Sequence, residues 1–250
     1  MPRWIGAIAA CGLLVGLAGC ATSQEESATL PTSIQTVQYY PFQVKGYENT
    51  YPKRRAVVIG ATDNRDFKDA GGADHEPSQG HPAVGMVLDQ RGKVLQRLYG
   101  PALESLVQDA IAHAATESGM TATTVSLPLK QELAARDADY VIAAKVLRCW
   151  VTKSRGADGP DGPAWHAAAV VTLEAAIYKP PFEVAFWQGQ VSATYTDPPA
   201  PINGVSPGEE TEIYDQPGEV LSVALTRAVA EIFKRDDLHT LLEQDTIRVR

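Results

Sequence analysis

The sequence predicts an α+β fold in which a mixed, mainly antiparallel sheet carries helices packed on one face. Three patterns lead to it. From Trp165 to Ile177 every odd position is apolar, and from Trp187 to Tyr195 apolar or small odd positions alternate with Gln188, Gln190, Ser192 and Thr194. A period of two is the pleat of a strand with one buried and one wet face. Leu103, Leu106, Val107, Ala110, Ile111 and Ala114 recur at helical spacing, as do Leu221, Ala224, Leu225, Ala228, Ile232 and Phe233. Each set is a single apolar stripe. The continuous run Ala56–Ala61 suits a strand buried on both faces.

Taken in order, the first ordered element is that run, ended by Asp63-Asn64-Arg65-Asp66. Residues 67–82, rich in Gly and Pro among polar neighbours, read as a loop. Val84–Leu88 and Lys93–Leu95 flank a turn containing Gly92, which predicts a hairpin. The helix of 101–118 takes Pro101 as its first residue and Gly119 just past its last turn. Thr121–Leu127 is strand-like, 129–136 a short helix, and 138–151 a strand again. The linkers Ser154–Pro163 and Lys179–Phe182 carry turn chemistry, so 139–152, 165–178 and 184–196 form consecutive antiparallel strands. Val171, Leu173, Val191 and Ala193 are expected beneath both long helices, with Gln188, Gln190, Ser192 and Thr194 facing away. Residues 197–216 read as a Pro- and Glu-rich loop. Pro217 opens the last long helix, and Asp236 or Asp237 caps a short one ending at Leu242.

Hydrophobic content of 44% supports a real core, and the net charge of −8 opposes nucleic-acid binding, which needs a basic stripe to displace counterions. The amino terminus has its own logic. Arg3, the apolar run Trp4–Leu17 and small residues before Cys20 describe a secretory signal peptide, too short to span a bilayer. Leu17-Ala18-Gly19-Cys20 resembles a bacterial lipobox. That resemblance implies cleavage before Cys20, a lipid thioether on it and acylation of the new amino terminus. Two or more chains hold a bilayer stably where one does not. The alternative is an ordinary cut near Ala18 or Ala21. Removing 19 of the 250 residues leaves 231 and one fewer positive charge. The expected organisation is signal peptide 1–19, lipidated Cys20 with a tether to residue 50, and a single α+β domain over 51–250. The tether docks near Tyr39, Tyr40 and Phe42. Cys149 is then the one remaining thiol, expected to be buried.

Several segments together resemble the YajG family of bacterial outer-membrane lipoproteins. They are the lipobox, the first strand with Asp63-Asn64-Arg65, the helix from Leu103 ending in Glu117-Ser118-Gly119-Met120, and Val220–Glu243 with its Asp236-Asp237-Leu238 start. The loops at 66–82 and 197–217 depart from that pattern. The resemblance implies a periplasmic domain on the outer membrane and brings no activity with it. A second resemblance, in order of elements alone, is to auxiliary lipoproteins of envelope ABC transporters, which implies lipid binding. Ala21 after the lipidated residue, rather than Asp, matches outer-membrane sorting.

The chemistry-bearing residues form no catalytic signature. Asp74, His75, Glu76 and His81 offer zinc-type ligands, but the histidines are six apart across Pro77 and Gly80, unlike the four-residue spacing of a helical zinc motif. A metal-dependent hydrolase on this 74–81 loop is the enzymatic alternative. Neither a Gly-x-Ser-x-Gly elbow nor a phosphate-binding glycine loop is present. Cys149 and His166 could meet across adjacent strands, though an apolar setting makes a thiol inert. His113 is expected half-buried on the flank of its helix. Asp63, Asn64 and Arg65 have two readings: a grip on a polar ligand through the guanidinium, or strand-ending turn residues with a local ion pair. Phe186 and Trp187 are adjacent, so one should face away from the core, covered by a loop or forming an interface. The expectation is a non-enzymatic binding or assembly lipoprotein with no cofactor or metal, a membrane contact through Cys20, and an envelope protein partner.

Overall fold

The computed structural model describes Val37, Tyr51 and residues 54–66, 81–126, 137–159, 162–196 and 217–248. Cys20, Tyr39, Tyr40, Phe42, most of the 67–82 loop, the short helix expected at 129–136 and the loop of 197–216 lie outside the described residues.

Among the described residues, eight strands form one mixed sheet in which most of the paired length is antiparallel: β1 (Arg55–Ile59), β2 (Thr62–Asp63), β3 (Ala83–Leu88), β4 (Val94–Tyr99), β5 (Thr121–Val125), β6 (Tyr140–Gly159), β7 (Gly162–Tyr178) and β8 (Ala185–Thr196). Among the described residues three helices accompany them: α1 (Leu103–Glu117), α2 (Pro217–Phe233) and α3 (Asp236–Arg248).

β6 organises the sheet. One edge pairs antiparallel with β7 along nearly its whole length, and β7 pairs in turn with β8. The other edge is shared. Tyr140–Ile142 run parallel to β1, Lys145 and Val146 to β2, and Val151–Ser154 to β3. β5 adds to β1, and β4 closes the hairpin with β3. Gly85 lies where β3 passes β6; a methyl there would overlap the Val151 carbonyl.

The meander is therefore as the alternation predicts, but longer. Ser154–Gly159 continues β6, and Gly162–Ala164 begins β7, with Gly159 opposite Gly162. Turn-forming residues did not end the strand because β3 and β7 flank it on both edges as far as Ser154. Val171 and Leu173 are fully buried and Val191 is buried, while Gln188, Gln190, Ser192 and Thr194 are exposed.

The helices divide the covered face. α2 packs on β6, β7 and β8, whereas α1 packs on β1, β2, β5 and β6 and against α2. β7 and β8, with Val171, Leu173, Val191 and Ala193, thus lie beneath α2 rather than beneath both helices. α1 begins at Leu103, two residues later than expected. Ala102 is its N-cap in extended conformation, and Pro101 precedes the helix. Its end is as expected: Gly119 takes φ of 93°, and the N–H groups of Gly119 and Met120 close on the carbonyls of Thr116 and Ala115. Gln108 docks α1 from within the core, donating from Nε2 to the carbonyls of Val58 (2.8 Å) and Val125 (2.7 Å). α2 is buried almost all round, with Arg227 and Glu231 exposed. α3 runs six residues past its expected end at Leu242.

Candidate functional site

Asp63, Asn64 and Arg65 stand at the point where β6 changes neighbours. Asp63 ends β2, and its carboxylate accepts two hydrogen bonds from the Arg65 side chain, from Nε and Nη2, each at 2.9 Å. Arg65 Nη1 donates to the carbonyls of Ala83 (2.7 Å) and Cys149 (3.2 Å). One guanidinium therefore ties β2, the first residue of β3 and the middle of β6 together. The Arg65 side chain is only 7% exposed, so its planar fork spends its directed donors on the protein's own acceptors. Asn64 is exposed, and its backbone N–H donates to the Val146 carbonyl at 3.0 Å.

Phe186 and Trp187 do not take opposite faces. Ile177 pairs with Trp187 but Tyr178 pairs with Ala185, so Phe186 is the extra residue of a β-bulge. A bulge re-aims its side chain, and both aromatics pack against the same core cluster. The Trp187 ring lies over Gly189. Its indole Nε1 is buried with no hydrogen-bond partner among the described residues, and it is near enough to Asp237 to favour that carboxylate's charge.

Phe186 belongs to a polar–aromatic group that the sequence did not advertise. Its ring is 6.1 Å from that of Tyr140 and 5.0 Å from the Lys179 ammonium. Tyr140 donates its hydroxyl to Asp245 Oδ2 at 2.8 Å, and Lys179 pairs with Asp245 Oδ1. Burial opposes the charge on Asp245, but the hydrogen bonds from Lys179 and Tyr140 outweigh it and hold the carboxyl below its ordinary range. Burial, reinforced by that carboxylate, raises the Tyr140 phenol. The group fixes the last turns of α3, which explains why the helix outruns its apolar pattern. At the other end of α3, Asp237 is brought down to about 2, chiefly by Arg235, and accepts the Leu238 N–H.

The face of the meander turned away from the helices is polar and internally paired. Lys145 Nζ meets Glu174 Oε1 at 2.6 Å, Gln188 Nε2 donates to the same oxygen at 3.1 Å, and the Thr172 and Ser192 hydroxyls are 3.0 Å apart. These cross-strand pairs hold three adjacent strands in one register. Toward β1 the same side carries a small apolar cluster of Val57, Val125, Ala138 and Val141, with Tyr178 and Phe182 packed on it.

The remaining candidates are dispersed. Cys149 is a free thiol, fully buried, and burial pushes its pKa up to about 12. It stands opposite Val171, whereas His166 stands opposite Ser154 near the far end of β6, so the two do not meet. His113 is half-buried with its Nε2 unpartnered among the described residues. His81 places Nδ1 at 3.3 Å from the Gly100 carbonyl; Asp74, His75 and Glu76 lie outside the described residues. Among the described residues no three His, Cys, Asp or Glu side chains are grouped to hold a metal, and no helix is long and apolar enough to cross a membrane.

No protein-family model matches the chain, and no curated protein matches it. Solved structures do. A Xanthomonas campestris protein of family DUF330 is 12% identical, with 86% of this chain and 99% of that one covered and a TM-score of 0.45. PelC of Paraburkholderia phytofirmans, solved as a dodecamer, is 12% identical over 73% of this chain and 90% of its own, at 0.35. The lipoprotein GNA1162 of Neisseria meningitidis is 12% identical over 73% of this chain and 99% of its own, at 0.25. The similar structures thus include a bacterial lipoprotein. At these identities and scores, no residue role passes from them to this chain.

Proposed function

We propose that this is a lipid-anchored binding or assembly protein of the outer membrane, facing the periplasm and acting without catalysis. The observation that carries the binding part is the outward face of β6, β7 and β8. There exposed Lys145, Gln188 and Ser192 are tied by cross-strand pairs to half-buried Glu174 and Thr172, so this part of the face is already ordered before anything meets it. A preformed surface loses little conformational freedom on binding. The anchoring part rests on Leu17–Cys20 and the outer-membrane part on Ala21. Within that class, the YajG-like reading rests on the segments that carry the resemblance, and the partner is a protein of the envelope.

The test has two arms. Cys20→Ser should abolish palmitate labelling and release the protein from the membrane fraction. A variant that keeps both label and membrane would remove the anchor. Photocrosslinkers at Gln190 and Thr194 in intact envelopes should give one adduct of defined mass, absent with the crosslinker at Glu104. Adducts at Glu104 and none at the meander would move the binding surface elsewhere.

A further inference from the structure

The described part of the sheet ends on three outer strands, and they are not alike. On one side of β6 these are β4 and β5. β5 has five residues, and β4 has six and carries Arg97. Short edges and charged side chains are the usual protection against pairing with another chain. On the other side the outer strand is β8, which among the described residues pairs with β7 and with no other strand. Its twelve residues include no Asp, Glu, Lys, Arg, His or Pro. Past the bulge at Phe186, its register on β7 is unbroken from Trp187 to Thr196. Burial also falls off toward this edge. Gly189, Ala193 and Tyr195 are half-buried, whereas their β7 partners Ala175, Val171 and Ala169 are buried.

The rest of the chain supplies no evident cover for this edge. Val37 joins the sheet at β4, donating its N–H to the Tyr99 carbonyl at 3.0 Å. Residues 197–216 follow β8, but Pro198, Pro199, Pro201 and Pro207 lack the N–H that a ladder needs. Glu209, Glu210, Glu212 and Asp215 leave the remainder without the apolar alternation of a further strand.

We propose that β8 pairs along this edge with β8 of a second copy, antiparallel about a two-fold axis at Gln190, so that two sheets become one. The strand is complementary to itself in that register. Trp187 meets Ala193, Gly189 meets Val191 and Gln188 meets Ser192, a large residue beside a small one each time. Residues that meet share a face, so Gln188, Gln190 and Ser192 stay on the wet side and Trp187, Val191 and Ala193 on the helix side. An axis at Val191 would instead set Trp187 against Tyr195 and Gly189 against Ala193, large on large and small on small. A two-fold interface uses one patch twice. A strand without charges meets its copy without like-charge pairs.

The experiment uses the full chain in envelopes of the cells that make it. Residues directly opposite in an antiparallel pair stand about 4.5–5.5 Å apart, within disulfide reach. Gln190→Cys should therefore link to itself under mild oxidation, at twice the mass of the single chain. Thr194→Cys should not, because the two copies of residue 194 would lie roughly 27 Å apart. Cys20 and Cys149 are present in every variant and in the unsubstituted chain, where any band of their own is read. A second arm co-purifies two differently tagged copies. Gln190→Glu in both should reduce recovery at least about fivefold, and Gln190→Glu in one with Gln190→Lys in the other should restore it. No self-link at Gln190, or equal links at 190 and 194, would overturn the proposal, as would failure of the Glu–Lys pair to recover. A link from Gln190→Cys only to a protein of another mass would assign the edge to that protein and likewise overturn it. The edge is distinct from the outward face proposed for binding, and a band at twice the chain mass cannot come from a partner of that face.

Discussion

The two ends of β6 do opposite work. At residues 140–146 the strand lies between β1–β2 and β7, with Tyr140, Ile142, Ala144 and Val146 in the main core and Val141 in the smaller cluster behind it. At residues 152–156 the same strand is half-buried and carries Lys153 and Arg155. Pairing with β3 as far as Ser154 and with β7 keeps the outer end extended through a register shift between Arg155 and Asp158, but burial, which supplies most of the stability, belongs to the inner end. A strand can thus extend from a core to form a display surface. Arg65, bonded to Asp63, Ala83 and Cys149, sits at the changeover.

Substitutions should follow that division. Leu173 is fully buried opposite Val146, and Leu173→Ala should cost about 2–5 kcal/mol in a denaturant melt, transfer and cavity together. Arg65→Met leaves Asp63 partly buried without its partner and frees two carbonyls. It should cost about 2–3 kcal/mol, below the range for fully buried pairs because Asp63 is 20% exposed. A loss under about 0.5 kcal/mol would mean that the clamp does not join the two ends.

Asp245→Asn should cost about 1 kcal/mol and loosen α3 before the rest of the fold. Its acid dependence has a definite sign. The folded pKa lies below the ordinary 3.8, so this contribution is present above that value and is lost as pH falls through the folded one. The wild type should lose α3 protection at low pH, while Asp245→Asn should show a flatter profile. A steeper profile in the variant would contradict the tether. Gln190→Ala, on the wet face, should stay within about 0.5 kcal/mol. A loss equal to that of Leu173→Ala would mean that the strand register is wrong.

Much of this was legible in the sequence because burial imposes periodicity. The odd positions of β7 and the stripes of α1 and α2 announce themselves, since one face of each meets the core. The parallel pairing of β6 with β1, β2 and β3 was not legible, because partner choice leaves no local pattern. The bulge at Phe186 shifts alternation by one residue, which sequence spacing alone cannot distinguish from a change of face. Of the candidate residues, the Arg65–Asp63 pair could be read from proximity, but Arg65's carbonyl acceptors, Ala83 and Cys149, are 18 and 84 residues away. Asp245, in a polar carboxyl-terminal stretch, becomes noticeable only when Tyr140 and Lys179 converge on it.

The contrast within β6 is tested most directly by native-state hydrogen exchange, read residue by residue along that single strand. Amides of Ile142, Ala144 and Val146 should exchange only through global unfolding, and those of Lys153, Ser154 and Arg155 through local opening, with protection lower by roughly two orders of magnitude. Uniform protection from Tyr140 to Gly159 would contradict the division into a core end and a display end.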